Sequence, residues 1–561
     1  MGDLSNSKNL LVAPHAVDRD EDAWKLYVFR KSRDLLSTRS LLQQLRAEID
    51  CLDAGSGSAI DALVLAGEIE TGLADAGSTA AIDAAHVVHH LAGIVCGDTL
   101  EHSPLLRSLQ RVEAANFPAR VLGAHPEGFS YYGLNPLDFA DLARRFSCDL
   151  PARVNVVGIR SAGTVLGAVV AAQLRSCGKS VDRITVRPAG EPYHRETTFD
   201  AAQLEWIGHG FDQGADFLVV DEGPGFSGST FLSVAQALAD ASIPSASIIL
   251  MGSRPFSQSS GIRNGEARSR FRCYTVDYAT HVPADAGRSL GDGCWRELLY
   301  ETRSLWPARW VEQEQIKHLS RDGQLLFKFE GFGRYGRLSR QQALALAAAG
   351  FSPRLLGFDN GFAGYEFVRG RPLTQADLTQ NLLSQIAEYC AFRVYSFPAA
   401  SPNSAMLQDM LQINLGIEFG LEPVPVDLPI EHPVYPDCRM FPHEWVRARD
   451  GRLLKADAVG QGEGHQLPGP TDIAWDLAGT IVEWRLSPEQ ASFLLQEYQN
   501  RSGDNAAARV QEYLVAYLVF RMAHCRMGAA SMGHRREAKY LHRLYLEYAQ
   551  KAKVKLEARA R

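Results

Sequence analysis

Hydrophobic spacing changes three times along this chain. Residues 1–35 are polar and read as a lead-in carrying one short strand, Ala23–Phe29. From 36 to 116 apolar residues recur at helical spacing: Leu41, Leu42, Leu45 and Ile49, then Leu63, Leu65, Ile69 and Leu73. Gly55–Ser58 and Gly77–Ser78 mark the breaks, so this stretch predicts a helical accessory region. Between 117 and 300 the pattern becomes short apolar runs, Val154–Val157 (broken by Asn155), Phe217–Val220 and Ile248–Met251, with Arg183–Val186 as a further strand. The runs end in small-residue turns, with helical stretches between them. Such runs suit parallel strands covered on both faces. Four strands with intervening helices predict an α/β, Rossmann-like parallel sheet. From 301 the pattern changes again. Gln324–Phe329 alternates, with Lys328 near its centre, a helix follows over Ser339–Ala349, and Gly361–Leu373 reads as two strands. Helical spacing returns from 484 to 561, as in Val510, Tyr513, Leu514, Tyr517 and Leu518. The chain is thus expected to be multidomain: 1–35, 36–116, 117–300 and a C-terminal α+β region, 301–561.

Composition narrows the class. Of 561 residues 46% are hydrophobic and 22% charged, values of a globular chain. A net charge of −7 argues against bulk nucleic-acid binding. Nine cysteines, odd in number and without a Cys-x-x-Cys, fit reduced thiols rather than a disulfide framework or zinc ribbon. Neither a signal peptide nor an apolar run near the ~20 residues of a membrane span is evident. The expectation is a cytoplasmic protein with small-molecule substrates and no nucleic-acid or membrane partner; a homodimer is left open.

The densest chemistry lies at Phe217–Thr230. A buried strand ends in two acids, Asp221 and Glu222, and a Gly-rich loop then runs through Ser227, Gly228, Ser229 and Thr230 into a helix. Consecutive amides and hydroxyls at a helix N-terminus favour a phosphate, and acids at the carboxyl end of a parallel strand stand where open α/β sheets bind ligands. This order of parts resembles the PRPP-binding motif of the type I phosphoribosyltransferases, with Glu222 where a second Asp is usual and Ser227 where Thr is usual. The resemblance implies that Asp221 and Glu222 hold the ribose diol and Ser227–Thr230 the 5-phosphate. It also implies that the earlier strand–turn–helix at Val154–Ala168 holds pyrophosphate through Arg160, Ser161, Ala162 and Gly163. Arg187, on the following strand end, would bring positive charge to the leaving pyrophosphate. His194 and Arg195, in the polar run 189–198, are further candidates for that charge. Phe129, Tyr131 and Tyr132 lie in a flanking segment that could stack on an acceptor base. His86, His89 and His90, with Glu68 and Glu70, offer a metal reading against the commoner surface and capping roles.

The C-terminal half carries a second resemblance, to aminoglycoside phosphotransferase-like kinases, which implies an α+β bilobal fold. The residues that carry it are the Lys328 strand, the run Tyr435–Trp445, Asp457 after Gly451–Ala456, and Thr471–Gly479. It implies that Lys328 binds ATP phosphates, Asp437 accepts a hydroxyl proton, and Asp457 with His443 holds Mg²⁺, while Asp476 is structural. The helix expected to pair an acid with Lys328 begins Arg340-Gln341-Gln342, with none. Imidazole is also a poor magnesium ligand. The reading that follows is a bifunctional transferase. PRPP-dependent transfer to a heterocyclic acceptor would be coupled to an ATP-dependent small-molecule kinase, with Mg²⁺, PRPP and ATP as cofactor and substrates. The alternatives are a PRPP-sensing regulator with a degenerate kinase fold, and a small-molecule kinase with a non-catalytic N-terminal half.

Overall fold

Alternate residues of each apolar run face opposite sides of one sheet, and the two sides are covered by different helices. In this computed structural model, which describes residues 21–560 apart from 30–32, 99–101, 125, 192–193, 226, 257–266, 268, 278–279, 400–403, 422–426, 460–466 and 533–534, five parallel strands form that sheet. They are β3 (Arg153–Ile159), β4 (Ser180–Val186), β7 (Asp216–Val220), β8 (Ile248–Gly252) and β9 (Arg272–Thr275), in the order β4-β3-β7-β8-β9. Val154, Val156, Leu218, Val220, Ile249 and Met251 enter one core, and Val157, Phe217, Val219, Ile248 and Leu250 the other. That is the period of two expected of strands buried on both faces.

Helix α6 (Ala162–Ser176) follows β3 and packs into the first core with the N-terminal helices α1 (Thr38–Asp53), α2 (Ala59–Asp75), α3 (Ala80–Val95) and α4 (His102–Ala114). Helix α8 (Ser229–Asp240) follows β7 and packs into the second core. The chain therefore leaves β3 in one direction to β4 and returns to β7 on its other side. The strand order reverses between β3 and β7, and the two following helices lie on opposite faces, which opens a crevice at the strands' carboxyl ends. The helical region predicted for 36–116 is made of four helices, and the breaks between α1 and α2 and between α2 and α3 fall at the Gly/Ser stretches.

In the C-terminal half five antiparallel strands pair in the order β10-β11-β12-β14-β13, where β10 is Ala286–Ser289, β11 Lys317–Ser320, β12 Leu325–Phe329, β13 Leu355–Asp359 and β14 Phe362–Glu366. Phe329, Phe332 and Phe362 belong to the same core as α2 and Phe129, so the helical region, the parallel sheet and one end of the inner strands β12 and β14 share one apolar interior. The helices over Gln380–Ser396, Ala474–Glu483, Pro488–Ser502 and Val510–Ser531 build a third core around Trp475, Trp484 and Tyr517.

Two expected elements differ. Ala23–Phe29 is not a strand: Glu21–Trp24 is a 3₁₀ turn and the segment after it joins no ladder. The backbone N–H of Tyr27 donates to Asn414 Oδ1 (2.7 Å), and Asn414 Nδ2 donates to the Tyr27 carbonyl (2.8 Å). Phe29 sits 5.3 Å from the Phe520 ring and 6.0 Å from Trp475. An amide side chain thus replaces a neighbouring strand for these backbone groups, as burial requires. The helix expected from Ser339 starts at Gly333, and its first amide donates to Asp61 Oδ1 at 2.8 Å. An acid of α2, 272 residues away, supports that start.

Candidate functional site

The crevice between β3 and β7 gathers most of the residues predicted for sugar-phosphate binding. Gly163 lies against the end of β7, where an added Cβ would stand 2.4 Å from the Val220 carbonyl oxygen and 3.3 Å from Asp221 Oδ1. The two loops therefore touch only because position 163 lacks a side chain. The backbone strain falls on Ser161, with φ of 110°, and not on Ala162. Such a conformation is sparsely populated by non-glycine residues and persists where the surroundings over-determine it. The Ser161 Oγ is buried with no hydrogen-bond partner, and it lines a small cavity with Glu68, Thr71, Pro126, Phe129 and Val165. Ser227 Oγ and Ser229 Oγ lie 2.9 Å apart on either side of Gly228 (φ 65°), where α8 begins. Thr230, half-buried, completes the first turn. Phe226, Pro192 and Tyr193 lie outside the described residues.

The cations of this crevice are already paired. Arg160 NH1 is 3.1 Å from Asp75 Oδ1, and Arg187 NH2 is 2.7 Å from Asp75 Oδ2, with Arg187 Nε also reaching both oxygens. Asp75 ends α2, and the same helix brings Glu70 to Arg183 (2.7 Å) and Glu68 to Arg334 (2.6 Å). Apart from these acids, Asp61 and Thr71, the helix is apolar all round. That pattern signals burial, and an acid buried on such a helix requires a partner. His194 and Arg195 lie on the hairpin of β5 (Ala189–Glu191) and β6 (His194–Glu196), His194 exposed and Arg195 partly so. His89 pairs with Arg175 at 2.9 Å, and burial beside that guanidinium pushes its imidazole down to about 4.

In the C-terminal half three residues chosen separately meet. Lys328 Nζ donates to Asp457 Oδ1 at 2.6 Å and lies 3.0 Å from Glu330 Oε1. Asp457 Oδ2 accepts from Arg439 NH1 at 2.8 Å. Lys455 Nζ donates to the Asp457 carbonyl at 2.9 Å and lies 3.2 Å from Asp437 Oδ1. Asp437 also accepts from the Tyr389 hydroxyl, and its backbone N–H donates to Asp476 Oδ2 at 2.7 Å. Asp476 takes the Cys438 amide as well (2.9 Å), which fits the structural part expected of it; burial, with Asp437 close by, pushes it up to about 6. Burial disfavours the Asp457 carboxylate, but Lys328, Lys317 and Arg439 outweigh it and hold the group well below its ordinary value. Glu330 is pushed up by burial and by that neighbouring charge. Lys317 stands directly opposite Lys328 across β11 and β12, so the like charges need the acids between them.

His443 is not brought to Asp457 as a ligand. It stacks on Phe441 (centroids 5.2 Å) and Trp295 (6.2 Å), and burial with Arg309 and Lys455 nearby pushes it down to about 3. Among the described residues no group of three His, Cys, Asp or Glu side chains is placed to hold a metal, the His86–His90 cluster included. Asp457 presents both oxygens to cations of the chain, so Mg²⁺ does not fit this arrangement as it stands. Arg439, Lys455, Glu330, Tyr389 and Asp75 complete the two sites and were not singled out from sequence. Only the acids of α2 carried a readable signal.

No family model and no curated relative matches the chain. Part of it is similar to solved structures. The choline kinase LicA from Streptococcus pneumoniae matches at 14% identity over 43% of this chain and 89% of that one, with a TM-score of 0.32. Macrolide 2'-phosphotransferase MphH from Brachybacterium faecium matches at 14% over 46% and 97%, TM-score 0.29. Aminoglycoside 2'-phosphotransferase-IIIa, in its GDP complex, matches at 14% over 42% and 89%, TM-score 0.30.

Proposed function

We propose that residues 301–561 form a nucleotide-dependent phosphotransferase centre that acts on a hydroxyl of a small molecule. One observation carries the reading: Lys328, Asp437 and Asp457, far apart in the chain, join one buried ionic network. Phosphoryl transfer asks the protein chiefly for positioning and charge neutralisation. Lys328, Lys317, Arg439 and Lys455 concentrate positive charge there, with Lys328 placed to exchange a carboxylate for phosphate oxygens. Asp437, held by Lys455 and Tyr389, is the acid that would take the hydroxyl proton. With its carboxylates tied to the chain's own cations, this is the resting arrangement of such a centre. ATP turnover against a panel of small alcohols and sugars, with Asp437→Asn as control, tests it. Acceptor-dependent ADP release lost in Asp437→Asn is expected; no nucleotide binding and no turnover would remove the reading.

A second reading is favoured by the crevice at the β3/β7 reversal: a sugar-phosphate site, with PRPP-dependent transfer as its chemistry. The contact of Gly163 with Val220 and Asp221, and the hydroxyls of Ser227 and Ser229 at the start of α8, support it. An anion there would compete with Asp75 for Arg160 and Arg187. Thermal unfolding with Mg²⁺–PRPP, on wild type and on Asp221→Asn/Glu222→Gln, tests it. Occupancy at about 100 times Kd stabilises by about 2.7 kcal/mol. A shift lost in the double variant is expected, and no shift in wild type rejects the reading.

A further inference from the structure

Between the two sites runs one short element, the π-helical turn Gly128–Tyr132. Its first residue reaches the crevice: the Gly128 N–H donates to Glu222 Oε2 at 2.7 Å, and a Cβ at 128 would stand 2.7 Å from that oxygen. Three residues on, Tyr131 reaches the buried ionic network, where its hydroxyl accepts from Arg439 NH2 at 2.8 Å and donates to the Gln313 carbonyl at 3.2 Å. Arg439 in turn fills Asp457 Oδ2. The turn is pinned on its flanks as well. The Phe332 N–H donates to the Phe129 carbonyl at 2.9 Å, Tyr132 bonds Gln313, and Arg254 lies over the Tyr132 ring at 5.4 Å. The residues expected to stack on an acceptor base are thus spent on holding this turn: Phe129 is fully buried, and Tyr131 and Tyr132 pack edge to face at 5.1 Å.

We propose that Tyr131 is a positioning residue that locks the phosphotransferase centre closed, and that Glu222 sets the lock from the other half of the chain. The proposal rests on the kinase reading only for what the lock excludes, a metal–nucleotide complex; the mechanical link stands on its own contacts. Asp457 has two oxygens. Lys328 holds one and is the group that would move to phosphate, so the other becomes available only when Arg439 turns away. Arg439 cannot turn freely while Tyr131 anchors its second nitrogen, and the bond from Gly128 to Glu222 is the one restraint on the Tyr131 turn that reaches the crevice. A ligand at the crevice whose hydroxyls engage Glu222, such as a ribose phosphate, competes for that oxygen and loosens the turn at its first residue. Such coupling has the same sign and size in both directions, so a nucleotide that displaces Arg439 also favours crevice occupancy.

The test uses the full chain and two readouts. Calorimetric titration with Mg²⁺–ATP compares wild type, Tyr131→Phe, Glu222→Gln and the double variant. Amide hydrogen exchange over 435–458, without nucleotide, is read on the same four proteins. Tyr131→Phe is expected to tighten Mg²⁺–ATP by about tenfold, one charge-assisted hydrogen bond at about 1.4 kcal/mol. Glu222→Gln is expected to tighten it several-fold, though that residue touches neither Arg439 nor Asp457, with a double variant well short of the product. Exchange over 435–458 is expected to rise in both single variants. Faster exchange without nucleotide binding in any protein would uphold the link and defeat the kinase reading. Equal Mg²⁺–ATP affinities with unchanged exchange would overturn the link and leave that reading intact. Null results on both overturn both.

Discussion

Replacing Lys328 by Met removes the ammonium from between two buried carboxylates while keeping a side chain of similar length. The ammonium is 2.6 Å from Asp457 and 3.0 Å from Glu330. At an effective dielectric near 20 each contact is worth about 6 kcal/mol before desolvation is counted. Desolvating three ions cancels most of that, and removing one member of a buried pair costs about 3–5 kcal/mol net. Asp457 keeps Arg439, so the uncompensated charge falls on Glu330, already pushed up by burial. The sign of the pH effect follows. A carboxyl raised in the folded state binds a proton that the unfolded chain releases, so stability is highest at low pH and falls as pH climbs from the ordinary carboxylate range through the raised value. One such group contributes at most about 1.36 kcal/mol per pH unit. Urea unfolding followed by tryptophan fluorescence is therefore expected to show a cost of about 3–5 kcal/mol at pH 8 that shrinks by at least half at pH 5. Lys328→Arg should show little of it. A cost below about 1 kcal/mol at pH 8, the range of an exposed pair, or a cost that does not change with pH would refute the assignment of this cluster as a desolvated ion network.

Asp75→Asn should release Arg160 and Arg187 from their shared acid. Stability is expected to drop by about 3 kcal/mol, with tighter binding of inorganic phosphate by the full chain, read by calorimetry; weaker phosphate binding would contradict the pairing. Gly163→Ala places a methyl 2.4 Å from the Val220 carbonyl, and the strand end must shift. A loss of about 1–3 kcal/mol is expected, together with the Mg²⁺–PRPP thermal shift; a neutral outcome would show that the two loops do not touch. His443, pushed down to about 3, takes up its proton in the unfolded chain long before the folded one does. Stability therefore falls as pH drops from about 6.5, the ordinary imidazole value, towards 3. His443→Phe should keep the stack on Phe441 and Trp295 and flatten the urea midpoint across that window, and an unchanged slope would place the proton elsewhere.

Local pattern carried the elements that depend only on near neighbours. The helices of 36–116, the apolar strands with their two-faced burial, and the break points at Gly/Ser stretches all follow from side-chain periodicity and backbone freedom within a few residues. The loops after β3 and β7 were legible for the same reason, since a strand, a small-residue turn and a helix start are written consecutively. Ala23–Phe29 failed where its partner was remote: six apolar residues in seven suggested a strand, but no ladder stood beside them, and Asn414 satisfied Tyr27 instead. The early start of the helix at Gly333 failed likewise, because the acid that supports it is Asp61.

Residue types at the two centres were thus determined by the sequence itself: acids at strand ends, a lysine in mid-strand, hydroxyls at a helix start. Which charge meets which was decided only by tertiary structure. A lysine's partner is whatever acid the fold desolvates beside it, and Lys328 found Asp457 and Glu330 rather than a carboxylate on the helix that follows it. Asp75 closing on two arginines and Tyr131 crossing to Arg439 bridge 85 to 308 residues of chain. No local periodicity can carry such pairings, because their free energy comes from water removed by packing between elements that sequence order keeps apart.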